Sequence, residues 1–133
     1  MSVFSQQIDP LTKAMLSGYD ELLKENPKDY QTYYERAAQY YQLSLYDRAF
    51  NDIAKALEFT PAKEAAMVAQ EYSLLSDIAV AAKDYQKALT AIERALAISP
   101  DSYADLYRKG NVLLYLNQPQ EAYNTFKSMQ RLK

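Results

Sequence analysis

Apolar residues recur every three or four positions along almost the whole chain. The clearest examples are two series with the same residue types at the same spacing: Ala49, Ile53, Ala56 and Leu57, then Ala88, Ile92, Ala95 and Leu96. This spacing places the apolar side chains on one stripe of an α-helix. No segment alternates between apolar and polar residues strictly enough to form a half-buried strand. The pattern therefore predicts an all-α fold.

The periodic segments divide into about seven predicted helices with short connections. The first covers residues 10–25, and six more form three consecutive pairs. The pairs are predicted at about 29–43 with 46–59, 62–82 with 85–98, and 101–116 with 120–132. None of the five prolines interrupts a periodic segment, and four of them follow a residue whose side chain can cap a helix. This punctuation is typical of a chain of helices.

The helix pairs repeat along the chain at a nearly constant interval. Two series of small residues mark equivalent positions, one on the first helices and one on the second helices: Ala37, Ser76 and Gly110, and Ala49, Ala88 and Ala122. In both series the first step is longer than the second by the same amount. Small residues at these positions let two antiparallel helices approach closely. Since one such pair cannot bury its apolar face alone, neighbouring pairs are expected to stack.

A helix–turn–helix unit that repeats about every 34 residues resembles the tetratricopeptide repeat, whose signature is W-x2-L-G-x2-Y, then A-x3-F, then P. Six positions of the best unit match that signature in register: Tyr33, Ala37, Tyr40, Ala49, Ile53 and Pro61. The resemblance implies a right-handed α-solenoid of antiparallel helix pairs. It implies a single domain, 10–133, made of a half repeat and three repeats: 10–29, 30–63, 64–102 and 103–133. We expect residues 1–9 to be a disordered or frayed terminus.

The chain departs from the signature in two places. Arg36 and Lys109 occupy the position of the family's leucine, so we expect their stems to lie along the surface with the charged heads in water. Five extra, helix-favouring residues between Pro61 and Val68 predict a first helix in the middle repeat that is longer by about one to one and a half turns.

Composition excludes most catalytic chemistry. The 133 residues include no Cys, no His and only 2 Gly, which removes thiolate or imidazole metal sites, a histidine base and a phosphate-binding loop. Tyr123 and Lys127 have the spacing of a hydride-transfer pair, but no glycine-rich cofactor loop accompanies them. We therefore expect no enzyme activity, no catalytic residue, no cofactor and no metal.

Charge and hydropathy restrict the partners. The net charge is −2 and the two signs are interspersed, which argues against nucleic acid. The longest apolar run, 78–82, is far shorter than a membrane span. The compartment stays open: a chain without cysteine fits the cytoplasm or, if a signal peptide was trimmed near Val3, the periplasm or a secreted location.

The resemblance implies a binding function, because repeats of this family generally bind proteins on the concave face lined by the first helix of each pair. The positions expected on that face form our candidate peptide site: Tyr34, Tyr41, Gln42, Asp77, Tyr107, Arg108, Asn111 and Tyr115. Rigid rings with hydroxyl and amide tips suit an extended or helical peptide of a protein partner. A tyrosine at helical spacing fits packing between helices equally well, so both interpretations stay open.

The family also contains carboxylate clamps built from Lys and Asn. Of the matching positions here, only Asn111 has the right residue type, with Arg108 as a nearby cation. This partial match disfavours a clamp.

A structural role is the alternative function. The last predicted helix ends in three apolar residues with no helix after it, and these are candidates for self-association: Phe126, Met129 and Leu132. The chain would then be a homodimeric unit or a segment of a longer repeat array.

Overall fold

The computed structural model describes residues 8–132, and this range contains seven α-helices, one short 3₁₀ helix and no strand. The helices are α1 (Pro10–Glu25), α2 (Tyr30–Gln42), α3 (Tyr46–Phe59), α4 (Ala65–Ala81), α5 (Tyr85–Ile98), α6 (Tyr103–Tyr115) and α7 (Pro119–Met129), followed by the 3₁₀ helix Gln130–Leu132. The predicted all-α class is confirmed. Most of the segment 1–9, expected to be frayed, lies outside the described residues, as does the stretch around Val3.

The chain forms two compact units. Unit 1 is Met1–Phe59, in which α1 packs on α2 and α2 packs on α3. Unit 2 is Thr60–Lys133, in which α4 packs on α5 and α6 packs on α7. Helix α6 also contacts α5 and α4. Each unit is thus built from neighbouring helices that cover one another's apolar stripes, as the repeat pattern predicts.

The turns inside the three helix pairs share one geometry. The second residue after the first helix has a positive φ in each case: 61° at Ser44, 64° at Lys83 and 59° at Asn117. The amide of the following residue donates back to the last turn of the helix, at 2.9, 2.8 and 2.8 Å respectively. These residues therefore close a left-handed C-terminal cap that usually holds glycine. Ser44, Lys83 and Asn117 occupy equivalent positions of the three helix pairs, so the turn geometry follows the sequence repeat.

The predicted small positions are buried at the helix crossings. Ala37, Ala49 and Ala88 have no exposed surface, and Ser76 and Ala122 are 1% exposed. In the α4–α5 pair the Ser76 hydroxyl donates to the carbonyl of Ala88 at 3.0 Å, so two backbones meet there. Close approach through small residues is therefore confirmed at the α4–α5 crossing, and burial of the other small residues agrees with it.

Helix starts depend on acidic and hydroxyl caps more than on proline. Asp9, Asp29, Asp84 and Ser102 each accept a hydrogen bond from the amide three residues later, at the starts of α1, α2, α5 and α6. Only the two prolines that open α1 and α7 occupy the first helical turn. The other three lie in the turns between pairs, because each following helix begins three or four residues later.

The middle first helix is longer than its equivalents, although it begins later than predicted. Helix α4 has 17 residues, against 13 in α2 and in α6. The predicted start at Ala62 is wrong, since residues 61–64 form a turn in which the Glu64 amide donates to the Pro61 carbonyl at 2.9 Å. The five extra residues are therefore divided between this turn and about one additional helical turn.

The expected exposure of the Arg36 head is wrong. Its Nε and Nη2 donate to the two oxygens of Asp52 on α3 at 2.7 and 2.8 Å, and its Nη1 donates to Asp20 on α1 at 2.9 Å. Asp52 is buried. The hydrogen bond to Asp52 raises the pKa of Arg36 above its ordinary value in spite of burial. Arg36 therefore joins all three helices of unit 1. Lys109 lies nearer the expected position, with Nζ 3.6 Å from Glu93 on α5.

Candidate functional site

Helix α6 of unit 2 buries one face and exposes another. Gly110, Val112 and Leu113 face the core. Tyr103 and Tyr107, one helical turn apart, are 49% and 55% exposed. Exposed aromatic rings gain none of the free energy that burial of apolar surface provides. Such rings are enriched where proteins bind other proteins.

A charged network fixes this face of α6 to α4. Arg108 donates from Nε to Asp77 Oδ1 on α4 at 3.0 Å and from Nη1 to Asp105 Oδ1 at 3.0 Å. Ser73 on α4 donates to the same Asp105 oxygen at 2.8 Å. Asp105 is buried, whereas the side chains of Arg108 and Asp77 keep about a third of their surface exposed, 34% and 32%.

The network keeps Arg108 charged. Burial alone would lower the pKa of Arg108, but the hydrogen bond to Asp77 and the charges of Asp77 and Asp105 together raise the pKa above its ordinary value. The guanidinium is therefore a fixed positive charge between two carboxylates.

An open cavity lies over this network. Its volume is ≈ 580 Å³, and six residues line it: Asp77, Tyr103, Ala104, Tyr107, Arg108 and Asn111. We call it the α6 cavity. Of the eight candidate peptide-site residues, four meet here: Asp77, Tyr107, Arg108 and Asn111. The α6 cavity therefore combines aromatic surface, an amide and a charged floor.

Tyr115 lies elsewhere on unit 2. Its ring stacks on that of Tyr85 at the start of α5, with centroids 4.7 Å apart and planes 1° from parallel. Tyr115 therefore contacts the start of α5 while 58% of its surface stays exposed, and its part in binding stays a prediction from the sequence. Tyr107 lines the α6 cavity, and its ring also lies 6.3 Å from that of Phe126 on α7.

The three remaining candidates lie on α2 of unit 1. Tyr34 and Tyr41 are half-buried, and Gln42 is exposed at the last residue of the helix. Their part in binding stays a prediction from the sequence.

Two residues of this site, Tyr103 and Asp105, are not among those predicted from the sequence, whereas Ser73 is expected on the same face of its helix as Asp77. Tyr103 lies four residues before Tyr107, so extending the same helical stripe by one turn finds it. Asp105 has no such signal, since its pairing with Ser73 joins positions 32 residues apart.

The three self-association candidates differ in exposure. Met129 is 5% exposed, so the expectation that it lacks cover is wrong: α7 turns it into the core of unit 2. Phe126 is half-buried over Gly110. Leu132, in the 3₁₀ helix, is exposed.

Metal-binding and membrane-spanning features are absent from the described part of the chain. Residues 8–132 contain no group of three or more His, Cys, Asp and Glu side chains that could hold a metal ion. None of the helices in that range combines the length and the apolar character that a membrane span requires.

A buried carboxyl group without a basic partner among residues 8–132 lies away from the α6 cavity. Glu71 on α4 has no exposed surface. Its Oε2 accepts from Thr60 Oγ1 at 2.6 Å, while Oε1 has no hydrogen-bond partner among the described residues.

Comparison with known proteins gives structural neighbours only. No family model and no curated protein sequence matches the chain. Its fold is similar to that of MamA from Desulfovibrio magneticus RS-1, residues 41 to the end, with a TM-score of 0.81 and 18% identity over 91% of this chain. An RS-1 MamA double mutant named ArsTM gives 0.82 and 18% over 92%, and a further crystal structure of MamA gives 0.78 and 19% over 95%.

The matched region is part of those proteins. This chain spans 66% of the length of the first two MamA chains and 75% of the third. At such low identity the likeness shows the fold alone, which is an all-α helical repeat.

Proposed function

We propose that this chain is a tetratricopeptide-type, non-catalytic interaction module that binds a peptide segment of a partner protein on the exposed face of α6. The α6 cavity is the observation that supports the proposal. It combines two half-exposed tyrosines with a polar network that holds α6 and α4 together. A rigid floor reduces the entropy lost on binding, since the site is ordered before the ligand arrives.

The test uses two tyrosines of almost equal exposure. Tyr103 lines the α6 cavity, whereas Tyr123 on α7 is 57% exposed and lies outside it. Peptides selected against the protein from a random display library should bind Tyr103→Ala at least tenfold more weakly, because a buried aromatic anchor contributes a large share of binding energy. Tyr123→Ala should bind them as the unmodified protein does.

Two results would contradict the proposal. In the first, selection on this protein enriches no peptide beyond those that selection on an unrelated helical protein also enriches. In the second, both alanine variants bind the selected peptides equally well. Circular dichroism melting curves of both variants establish that they are folded.

Self-association is a second candidate, favoured by an exposed apolar stripe on α1. Leu11, Met15 and Leu22 are exposed on one face of this helix. Met15 and Leu22 lie one repeat before Ala49 and Ala56, and both alanines are fully buried within unit 1. The two positions that are buried alanines on α3 are therefore exposed on α1, where they hold the larger apolar residues Met15 and Leu22.

The stripe is complementary to itself. Gly18 completes it, and antiparallel packing of two copies about a twofold axis would pair Leu11 with Leu22 and Met15 with Gly18. Sedimentation velocity at rising concentration tests this arrangement. Dimer formation that Leu22→Gln abolishes and Leu114→Gln on α6 leaves intact would support it. A monomer at every concentration would exclude it.

A further inference from the structure

The floor of the α6 cavity has more negative than positive charge. Asp77 lines it beside Arg108, and Asp105 lies behind them against the same guanidinium. Two carboxylates thus share one cation, which leaves one net negative charge under the cavity. The remaining lining residues are uncharged.

Arg108 is poorly placed to receive an anion. Its Nε and Nη1 both donate to carboxylate oxygens, and an anionic ligand approaching the rest of the guanidinium would also approach Asp77. The carboxylate clamp considered from the sequence is therefore disfavoured by the charge of the site as well as by residue type. Asp77, in contrast, uses only Oδ1 for Arg108, and its Oδ2 accepts no hydrogen bond from the described residues.

The aromatic part of the cavity also favours a positively charged ligand. The faces of Tyr103 and Tyr107 have the negative potential of aromatic π-systems, which attracts ammonium and guanidinium groups. Long basic side chains also have an apolar stem that can cover the rings while the charged head reaches a carboxylate.

We infer that the α6 cavity selects a lysine or arginine side chain of the bound segment, with Asp77 as the anionic partner and Tyr103 and Tyr107 as the surface for its stem. This inference rests on the proposed function and adds the chemistry of the partner. Asn111 provides an amide at the edge of the cavity that can hydrogen-bond the peptide backbone or the basic head.

The experiment starts from the peptides selected for the proposed function. Each selected sequence is synthesised in three forms: as found, with the basic residue replaced by norleucine or citrulline, and with that residue replaced by glutamate. Norleucine and citrulline keep the stem and remove the charge. We expect the neutral form to bind about tenfold more weakly, the glutamate form to bind more weakly still, and the affinity of the basic form to fall with rising salt.

The matched protein variants are Asp77→Asn and Glu121→Gln. The amide at residue 77 keeps the shape and an acceptor for Arg108, so the network and the fold are retained while the charge is lost. Glu121 is an exposed carboxylate on α7 outside the cavity. Asp77→Asn should weaken the basic peptide about tenfold and leave the norleucine peptide unchanged, whereas Glu121→Gln should change neither.

The outcomes separate the two proposals. If the selected peptides need Tyr103 but the basic and neutral forms bind alike, the preference for a basic side chain is wrong and the peptide-binding function stands. If Asp77→Asn weakens both forms equally, Asp77 acts through the fold, and the inference is again wrong. If no peptide is enriched or Tyr103 does not matter, both proposals fail.

Discussion

Gly110 on α6 lies directly beneath the ring of Phe126 on α7. A Cβ placed on residue 110 would come within 2.8 Å of Phe126 Cδ1 and closer still to two other ring atoms. A larger residue here would therefore displace the Phe126 ring, which gives glycine an advantage inside a helix where alanine would otherwise be preferred. Gly18 on α1 offers the opposite case, because nothing lies within 4 Å of a Cβ there.

The two glycines should respond oppositely to alanine. Gly110→Ala should lower the free energy of unfolding by about 1–3 kcal/mol, because the ring of Phe126 must move. Gly18→Ala should raise it by about 1 kcal/mol, because only the helix-propensity difference remains. Urea unfolding curves measure both. A Gly110→Ala protein as stable as the unmodified one would show that the α6–α7 crossing is looser than described.

The residues with positive φ in the turns make the helix pairs less stable than glycine at the same positions would. Lys83 adopts a φ of 64°, a conformation that costs a residue with a side chain about 1 kcal/mol relative to glycine. Lys83→Gly should therefore raise the free energy of unfolding by about 0.5–1 kcal/mol. Lys127→Gly, inside α7, should lower it by about 1 kcal/mol. Thermal melting of the two variants checks the signs, and destabilisation by Lys83→Gly would contradict the turn geometry.

The Arg36–Asp52 pair should contribute strongly to the stability of unit 1. Asp52→Ala leaves a largely buried guanidinium with Asp20 alone, and we expect a loss of about 3 kcal/mol in unfolding free energy. Arg36→Lys should not preserve stability, because an ammonium cannot make both parallel hydrogen bonds to Asp52.

An exposed ion pair provides the control for this loss. Lys24 Nζ and Glu21 Oε1 are 3.3 Å apart on the surface of α1. Glu21→Ala breaks this pair and should lower the free energy of unfolding by less than about 0.5 kcal/mol. If chemical denaturation shows that Asp52→Ala and Glu21→Ala lower the free energy of unfolding equally, the buried ion pair is no more stabilising than the exposed one.

Glu71 should make stability fall as pH rises. Its burial raises the pKa of the carboxyl above the ordinary value, although the hydrogen bond from Thr60 opposes this. The folded state then keeps a proton that the unfolded state has released, so the free energy of unfolding decreases from about the ordinary glutamate pKa up to the raised one. Below the ordinary value both states are protonated, and the contribution no longer changes with pH.

Glu71→Gln should remove this part of the pH dependence. The variant should be no less stable than the unmodified protein above the raised pKa, because an uncharged amide replaces a buried carboxylate. Unfolding curves measured across the acid-to-neutral range provide the comparison. Parallel pH profiles for the two proteins would show that Glu71 is solvated in its charged form.

Much of the fold could be predicted from local pattern. The spacing of apolar residues defines the helices, and α1, α3 and α5 begin and end at the predicted residues. The repeat interval predicts which small residues meet at helix crossings. The late start of α4 could not be predicted in this way, because the residue types at 62–64 (Ala, Lys and Glu) favour helix while the turn after Pro61 is fixed by a backbone hydrogen bond.

The candidate site could be predicted only in part. Helical spacing places Tyr107 and Asn111 on one stripe of α6, which the sequence alone is enough to show. The stacking of Tyr115 on Tyr85 depends on how α5 and α6 cross, and no local signal in the sequence predicts this contact.

The sequence by itself determined the helices, the repeat interval and the absence of Cys and His, because each is a property of residue type and local spacing. Only the tertiary structure decided the pairing of charges. Arg36 reaches Asp52 across 16 residues, and Arg108 reaches Asp77 across 31. Such pairs depend on the distance between side chains on different helices, which is set by packing and is not encoded in any single segment.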